Sequence, residues 1–422
     1  MKVGTVVLPS AAARGDSDSA VRAPAPDVSW ARFDDTVLYW TSDDNRWPAA
    51  QRWASSAGLA LEQHSGPDWV QNLYLVTQVG RVFQHEHRNI PVLVDKGRYL
   101  VVAMQPEQAG RIEPRQEVCY DLQPLPAGTV VFRTVTPAAR APDAHVQKLV
   151  DQVSRDRYRR CLTHLVELPT RHSLQPGFFA AAVWARGQLE QLGYTTALTN
   201  ITVGAALEGS HNVVADHKGN GRDPRDLVLV AAHLDSINLT GGPMAPAPGA
   251  DDNGSGAAGL LEIAHVLAGH QTANDLRLVL FGGEEEGLFG SRQYVTALSA
   301  TERDRIRAVV NMDMIATKNT TNWSVLLEGA PLCEGLIDDL AVAAGTYTSL
   351  TVQISLHPFN SDHVPFIDAS IPAVLTIEGA DGANEHIHTA GDTLTHIDYD
   401  LAMEIVRMNV AAIASALADA AP

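Results

Sequence analysis

The stretch Leu227–Ser236, LVLVAAHLDS, constrains this chain more than any other. Val228, Leu229, Val230 and Ala231 form the apolar run that a strand buried on both faces requires, and it stops at His233 and Asp235 with one residue between them. Such a strand belongs to a sheet covered by helices on both sides, and ligands of open α/β sheets bind at its carboxyl end. His233 and Asp235 at this spacing suit a metal-binding imidazole and the carboxylate that orients it, since a ligating histidine usually donates its second ring nitrogen to such a partner. Taken alone, these two residues favour a plainer reading, a capped strand end with a hydrogen-bonded histidine. Only the downstream sequence overturns it.

Four further stretches supply polar groups at comparable places. In GADDNGSGAAGLLEIAHVL, Asp252 and Asn253 stand at the mouth of a helix whose apolar stripe includes Leu260, Leu261, Ala264 and Leu267, and Gly254 and Gly256 permit close backbone approach. Residue type alone fits Asp251, Asp252 and Ser255 as plain helix caps equally well. In LRLVLFGGEEEGLFGS, a buried strand from Leu276 to Phe281 runs through a Gly-Gly break into Glu284, Glu285 and Glu286. The mutual repulsion of adjacent acids at the end of a central strand calls for cations among them. In AVVNMDMIA, Asp313 interrupts an apolar strand, and a lone buried acid needs a partner or a metal. ANEHIHTAGDT places His386 and His388 in a polar loop ahead of a helix from Leu401 to Leu417. These sites together amount to a dinuclear metal centre, whose mixed nitrogen and oxygen donors suit zinc, with cobalt or manganese as alternatives and thiolate sites excluded.

AHLDS, GADDNGSG, EEEGLFGS, NMDM and HIHTAGD, in this order, resemble the co-catalytic dinuclear zinc aminopeptidases of the bacterial leucyl aminopeptidase and aminopeptidase Y type. The resemblance runs from about Arg157 to Ser415 and leaves the preceding sequence outside it. It implies an α/β fold with a mixed, mostly parallel β-sheet sandwiched between helices, holding two zinc ions about 3.5 to 4 Å apart. Carried over by position, it implies His233 and Asp313 as ligands of one zinc, Glu285 and His388 as ligands of the other, and Asp252 as the bridge. Asp252 is preferred to Asp251 because it stands four residues before Gly256, the family's spacing. Glu284 is then the general base, Asp235 the partner of His233, and the peptide bond after Asp252 is cis. The implied reaction is hydrolysis of the N-terminal peptide bond of peptide substrates with a free N-terminus. Some members place a tyrosine immediately before the last histidine ligand, aimed at the oxyanion; here that residue is Ile387. Tyr347 and His363 are the substitutes at hand, although Asp362 and His363 read rather as a structural pair.

The 422 residues are read as a mobile arm over 1–28, a small α+β domain of unassigned role over 29–137, and the zinc peptidase catalytic domain over 144–422. In the small domain, strands are expected at Thr36–Trp40, Leu73–Val79, Tyr99–Met104 and Thr129–Val135, with a helix near Trp47–Ala60. Its His64, His85 and His87 have no carboxylate at ligand spacing beyond Glu86, and QHEHR reads as a solvated turn. Lys and Arg number 31 against 49 Asp and Glu, and the resulting net charge of -18 argues against nucleic acid or an anionic membrane surface as partner. No apolar run is long enough to span a bilayer. Cys119, Cys161 and Cys333 are too few for a disulfide framework, which leaves room for one bridge. The N-terminal residues lack the apolar stretch of a signal peptide, so the compartment stays open, with only the family resemblance favouring an extracytoplasmic one.

Three rival functions share this scaffold. A glutaminyl cyclase-type transferase resembles a mononuclear variant, and a binding ectodomain resembles one that has lost its ligands. The complete ligand set argues against both. A carboxypeptidase or dipeptidase keeps the dinuclear centre and differs only in the pocket.

Overall fold

The computed structural model describes residues 1–9, 27–64, 72–112 and 119–418. The chain forms two units, and the first combines Met1–Thr136 with two later segments, Gln353–Phe359 and Ala380–Glu385. Its strands are β1 (Lys2–Val7), β2 (Ser29–Phe33), β3 (Thr36–Thr41), β4 (Leu61–His64), β5 (Asn72–Gln78), β6 (Val92–Lys96), β7 (Tyr99–Met104), β8 (Tyr120–Pro124) and β9 (Thr129–Val135). They order as β9-β2-β3-β1-β4 and as a separate sheet β6-β7-β5-β8. The expected mobile arm is corrected over Lys2–Val7, which is an inner strand antiparallel to both β3 and β4. The β-branched sequence KVGTVV fits a pleated, half-buried surface, and Val3 and Val6 join the core. Residues 10–26, the rest of that arm, lie outside the described residues. QHEHR falls at a short helix, Val82–Glu86, whose following residue His87 is half-buried with Nε2 2.9 Å from the Tyr120 hydroxyl.

The second unit comprises Pro137–Val352, Asn360–Gly379 and His386–Pro422. Its strands are β10 (Thr195–Val203), β11 (Glu208–His217), β12 (Leu227–His233), β13 (Asp275–Phe281), β14 (Ile306–Met312), β15 (Ser324–Glu328), β16 (Thr351–Ser355, shared across the unit boundary) and β17 (Ala373–Glu378). The order β10-β11-β13-β12-β14-β17-β15 puts β12 at the centre, parallel to β13 and β14, with antiparallel strands outside. Every residue of β12 is buried, as a strand with two covered faces demands. Leu227, Leu229 and Ala231 pack with Val279, Val295, Val309 and Phe366 on one face. By strand alternation Val228 and Val230 point to the other, where the helices Gly256–Leu267 and Tyr399–Ala418 lie against β12.

Three expectations change here. β14 ends at Met312, so Asp313 stands just beyond a strand end rather than inside the strand. Tyr399–Ala418 is long and apolar enough by composition to cross a membrane, contrary to the sequence reading, but most of it is buried as a core helix. Among the described residues no disulfide joins Cys119, Cys161 and Cys333. The Pro/Ala-rich connector PAARAPD, 137–143, between the two expected domains belongs to the second unit, where Arg140 donates its backbone N–H to the Thr346 hydroxyl at 3.1 Å and Asp143 to the Tyr347 hydroxyl at 2.9 Å. Asp143 also caps the helix Ala144–Val150.

Leu229 is fully buried at the middle of this sheet, so truncation leaves a cavity that neighbouring strands have little freedom to fill. Leu229→Ala is expected to cost about 3 kcal/mol, read from the urea midpoint of the second unit's transition. A loss below about 1 kcal/mol would show that β12 is not the packed centre described.

Candidate metal centre

β12, β13 and β14 are neighbours running the same way, so the residues after their last positions meet at one edge. His233 closes β12, Asp313 follows β14, and Gly282 and Gly283 carry the chain from β13 to Glu284 and Glu285. His233 Nε2 lies 3.2 Å from Asp313 Oδ1 and 3.3 Å from Asp252 Oδ1. His388 Nε2 lies 3.0 Å from Asp252 Oδ2 and 3.0 Å from Glu285 Oε2. Asp252 therefore divides its two oxygens between two histidine groups. Glu284 Oε2 stands further back, 4.0 Å from His233 Nε2.

A second layer holds these groups. The Asp392 carboxylate accepts the backbone N–H of Asp251 at 2.9 Å and of Asp252 at 3.0 Å. The Asn253 amide donates to the Met312 carbonyl at 2.9 Å, and its oxygen accepts the Gly256 N–H at 2.8 Å. A Cβ at Gly256 would sit 2.4 Å from that oxygen and 2.5 Å from the Met312 carbonyl, so only glycine fits. The Asp252–Asn253 peptide is cis, as the resemblance implies. Plain capping is not what these residues do, because Ser255 donates its hydroxyl to the Asp251 carbonyl at 2.7 Å and the helix Gly256–Leu267 has no side-chain cap. Ser361 donates to Asp313 Oδ2 at 2.7 Å and receives the Asn311 amide at 2.9 Å, which leaves Asp313 Oδ1 to His233. Asp235 accepts the Glu285 N–H at 3.1 Å through Oδ2, while Oδ1 lies 3.6 Å from His233 Nδ1, an ion-pair contact longer than a hydrogen bond. Glu286 is engaged elsewhere, accepting the Ser173 N–H at 3.2 Å with His172 Nδ1 at 3.1 Å.

The electrostatics show a centre short of positive charge. Burial pushes the Glu284 carboxyl well above its usual range, and neighbouring Asp313 and Asp362 add to the push against His233. Burial, then repulsion from Asp252, raises Glu285 to about 7. Burial opposes ionisation of Asp252 too, but His233 and His388 outweigh it and hold that carboxyl far below the normal value. Burial would likewise lower His233, yet Glu284 and Asp313 raise it well above an ordinary imidazole. Two groups of three candidate donors lie with their atoms close together, His233 with Glu284 and Asp313, and His233 with Asp252 and Glu285. Buried carboxylates facing imidazoles through opposite oxygens fit divalent cations of the nitrogen and oxygen binding kind.

All seven residues implied by the resemblance, His233, Asp235, Asp252, Glu284, Glu285, Asp313 and His388, converge on this edge. Tyr347 does not, because its hydroxyl receives the Asp143 N–H. Asp362 and His363 are not a pair: His363 Nε2 is 3.6 Å from Glu328 Oε1, whereas Asp362 is buried near the acids of the centre and pushed to about 7 by burial. Asp392 and Ser361 escaped the sequence reading although both lie inside motifs it noticed, HIHTAGD and SDHVPF.

Two histidines and four carboxylates gathered at the carboxyl edge of a parallel sheet make up a candidate divalent-metal centre. Residues 212–413 match the family model described as peptidase family M28. Leupeptin-inactivating enzyme 1 of Streptomyces exfoliatus is 34% identical over 207 residues, 49% of this chain and 44% of that relative, so the chain spans less than half of its length. Leucine aminopeptidase 1 of Ajellomyces capsulatus (strain NAm1 / WU24) is 28% identical over 302 residues, 67% of this chain and 76% of the relative. Among solved structures, BSAP, a zinc aminopeptidase from Bacillus subtilis, shares the fold with a TM-score of 0.56 at 19% identity, over 64% of this chain and 97% of that one.

Because Asp252 serves both histidine groups and Asp313 only one, Asp252→Asn should strip divalent metal more completely than Asp313→Asn. Elemental analysis after exhaustive dialysis reads the difference, and equal losses would contradict a shared carboxylate.

Proposed function

We propose that this chain is a zinc-dependent aminopeptidase that holds two zinc ions and releases the N-terminal residue of peptides. The observation that carries the reading is Asp252, with one oxygen at each of two histidine groups. His233 and Asp313 would hold one ion, Glu285 and His388 the other, and Asp252 both. Bound there, the ions supply Lewis acidity toward water and toward the scissile carbonyl. The names of the relatives, leucine aminopeptidase 1 and a zinc aminopeptidase, support the same activity.

The chain's own groups take the remaining tasks. Glu284, set back from the ligand positions, is the general base that accepts the proton of the attacking water and returns it to the departing amine. Asp235 orients His233 and, through the Glu285 N–H, keeps the acidic loop registered against the end of β12. The surrounding acids favour a substrate whose α-amino group is free and charged.

Activity on aminoacyl amides should vanish on treatment with a strong chelator and return with zinc; undiminished turnover by metal-free protein would sink the reading. A count of one ion per chain would favour the transferase alternative. Glu284→Gln should lower kcat by roughly 10²-fold or more with metal content retained, because it removes the proton acceptor and little else. Glu285→Gln should lose metal and recover partly with added zinc. The reverse pattern would exchange the two roles.

A further inference from the structure

Arg171, in the turn TRHS before the helix Pro176–Gln191, is fully buried. Its side-chain hydrogen bonds go to backbone carbonyls: Nε to Leu234 at 2.8 Å, Nη1 to Leu165 at 3.2 Å and Pro248 at 2.5 Å, and Nη2 to Gly249 at 2.9 Å. Its own N–H donates to the Ser236 hydroxyl at 3.1 Å, which in turn donates to the Ala247 carbonyl at 2.8 Å. Burial lowers its pKa to about 10, so it is still a cation at neutral pH, and the acids acting on it are Asp392, Asp235, Asp252 and Glu285. A buried cation without a bonded carboxylate is costly unless nearby charge offsets it. Here that charge is the carboxylates of Asp392, Asp235, Asp252 and Glu285.

The carbonyls it selects are informative. Leu234 lies between His233 and Asp235, whereas Pro248 and Gly249 end the loop that delivers Asp252. Gly249 has a φ of +52°, and a Cβ there would stand 2.4 Å from the Asp252 carbonyl and 2.9 Å from the Arg171 guanidinium. At Gly254 a Cβ would meet the Gly249 carbonyl at 2.6 Å. Both glycines let the backbone close around the planar fork, and a lysine has neither the shape nor the number of donors to replace it.

We propose that Arg171 is a positioning residue for the metal centre: its guanidinium ties the strand end bearing His233 and Asp235 to the loop bearing Asp252. The proposal rests on the metal-centre reading above. It is tested with the full chain and two variants, R171K, which keeps the charge but not the fork, and R171M, which removes both. The probes are zinc affinity, measured by competition with a chromogenic chelator, and melting temperature with and without zinc. We expect zinc affinity to fall between about tenfold and a hundredfold in both variants, the range seen when groups supporting metal ligands are removed, because both lose the fork. On aminoacyl amides, kcat should fall more than KM rises. Zinc affinity within twofold of the parent in R171K, or failure of both variants to fold, would overturn the proposal and leave Arg171 a purely architectural residue. A parent chain that binds no zinc would overturn the metal-centre reading as well, so the parent measurement separates the two failures.

Discussion

Negative charge gathered in a buried place is the constraint on which the rest of this protein depends. Two like charges about 4 Å apart repel by roughly 4 kcal/mol at an effective dielectric of about 20, and this edge of the sheet assembles Asp252, Glu284, Glu285 and Asp313 around two imidazoles. A fold does not tolerate that arrangement as decoration. The parallel trio β12, β13 and β14 brings His233, Glu284, Glu285 and Asp313 together, because strands that run the same way deliver their terminal residues to one side.

Convergence alone does not set geometry, and here backbone groups do much of that work. Asp392 fixes the amides of Asp251 and Asp252, Asn253 spans to the end of β14, and Ser361 takes one oxygen of Asp313 so that the other faces His233. Asp313 thus has one oxygen occupied by the scaffold and one turned inward. Arg171 extends the same logic beneath the centre, with a cation that bonds carbonyls rather than acids and so leaves the carboxylates free.

The N-terminal unit is not a simple appendage by sequence order. It takes in Gln353–Phe359 and Ala380–Glu385, and within it Arg98 pairs with Asp381 at 3.0 Å, both side chains buried. Breaking a buried pair by removing one partner is strongly destabilising, so Asp381 is held by a residue far from it in the chain. A boundary drawn from the Pro/Ala-rich connector sees only the first of these three segments.

What the sequence by itself determined was local and repetitive. The unbroken apolar run of β12, the acids crowded after β13 and the histidine-rich loop announce an α/β sheet with a metal centre, since burial on two faces and uncompensated charge leave marks within ten residues. KVGTVV carries the same kind of mark more weakly, because a short β-branched stretch becomes a strand only through its partners, here β3 and β4. Tertiary structure alone decided the rest. Asp392 meets Asp251 across 141 residues and Arg171 meets Leu234 across 63, distances over which no periodicity survives. Tyr347 and His363 looked available because a sequence lists donors and not their partners; the chain's folding gave one to Asp143 and set the other beside Glu328. Which oxygen of Asp252 faces which histidine is likewise a property of the closed backbone around Gly256, where two carbonyl-lined walls leave no room for a side chain.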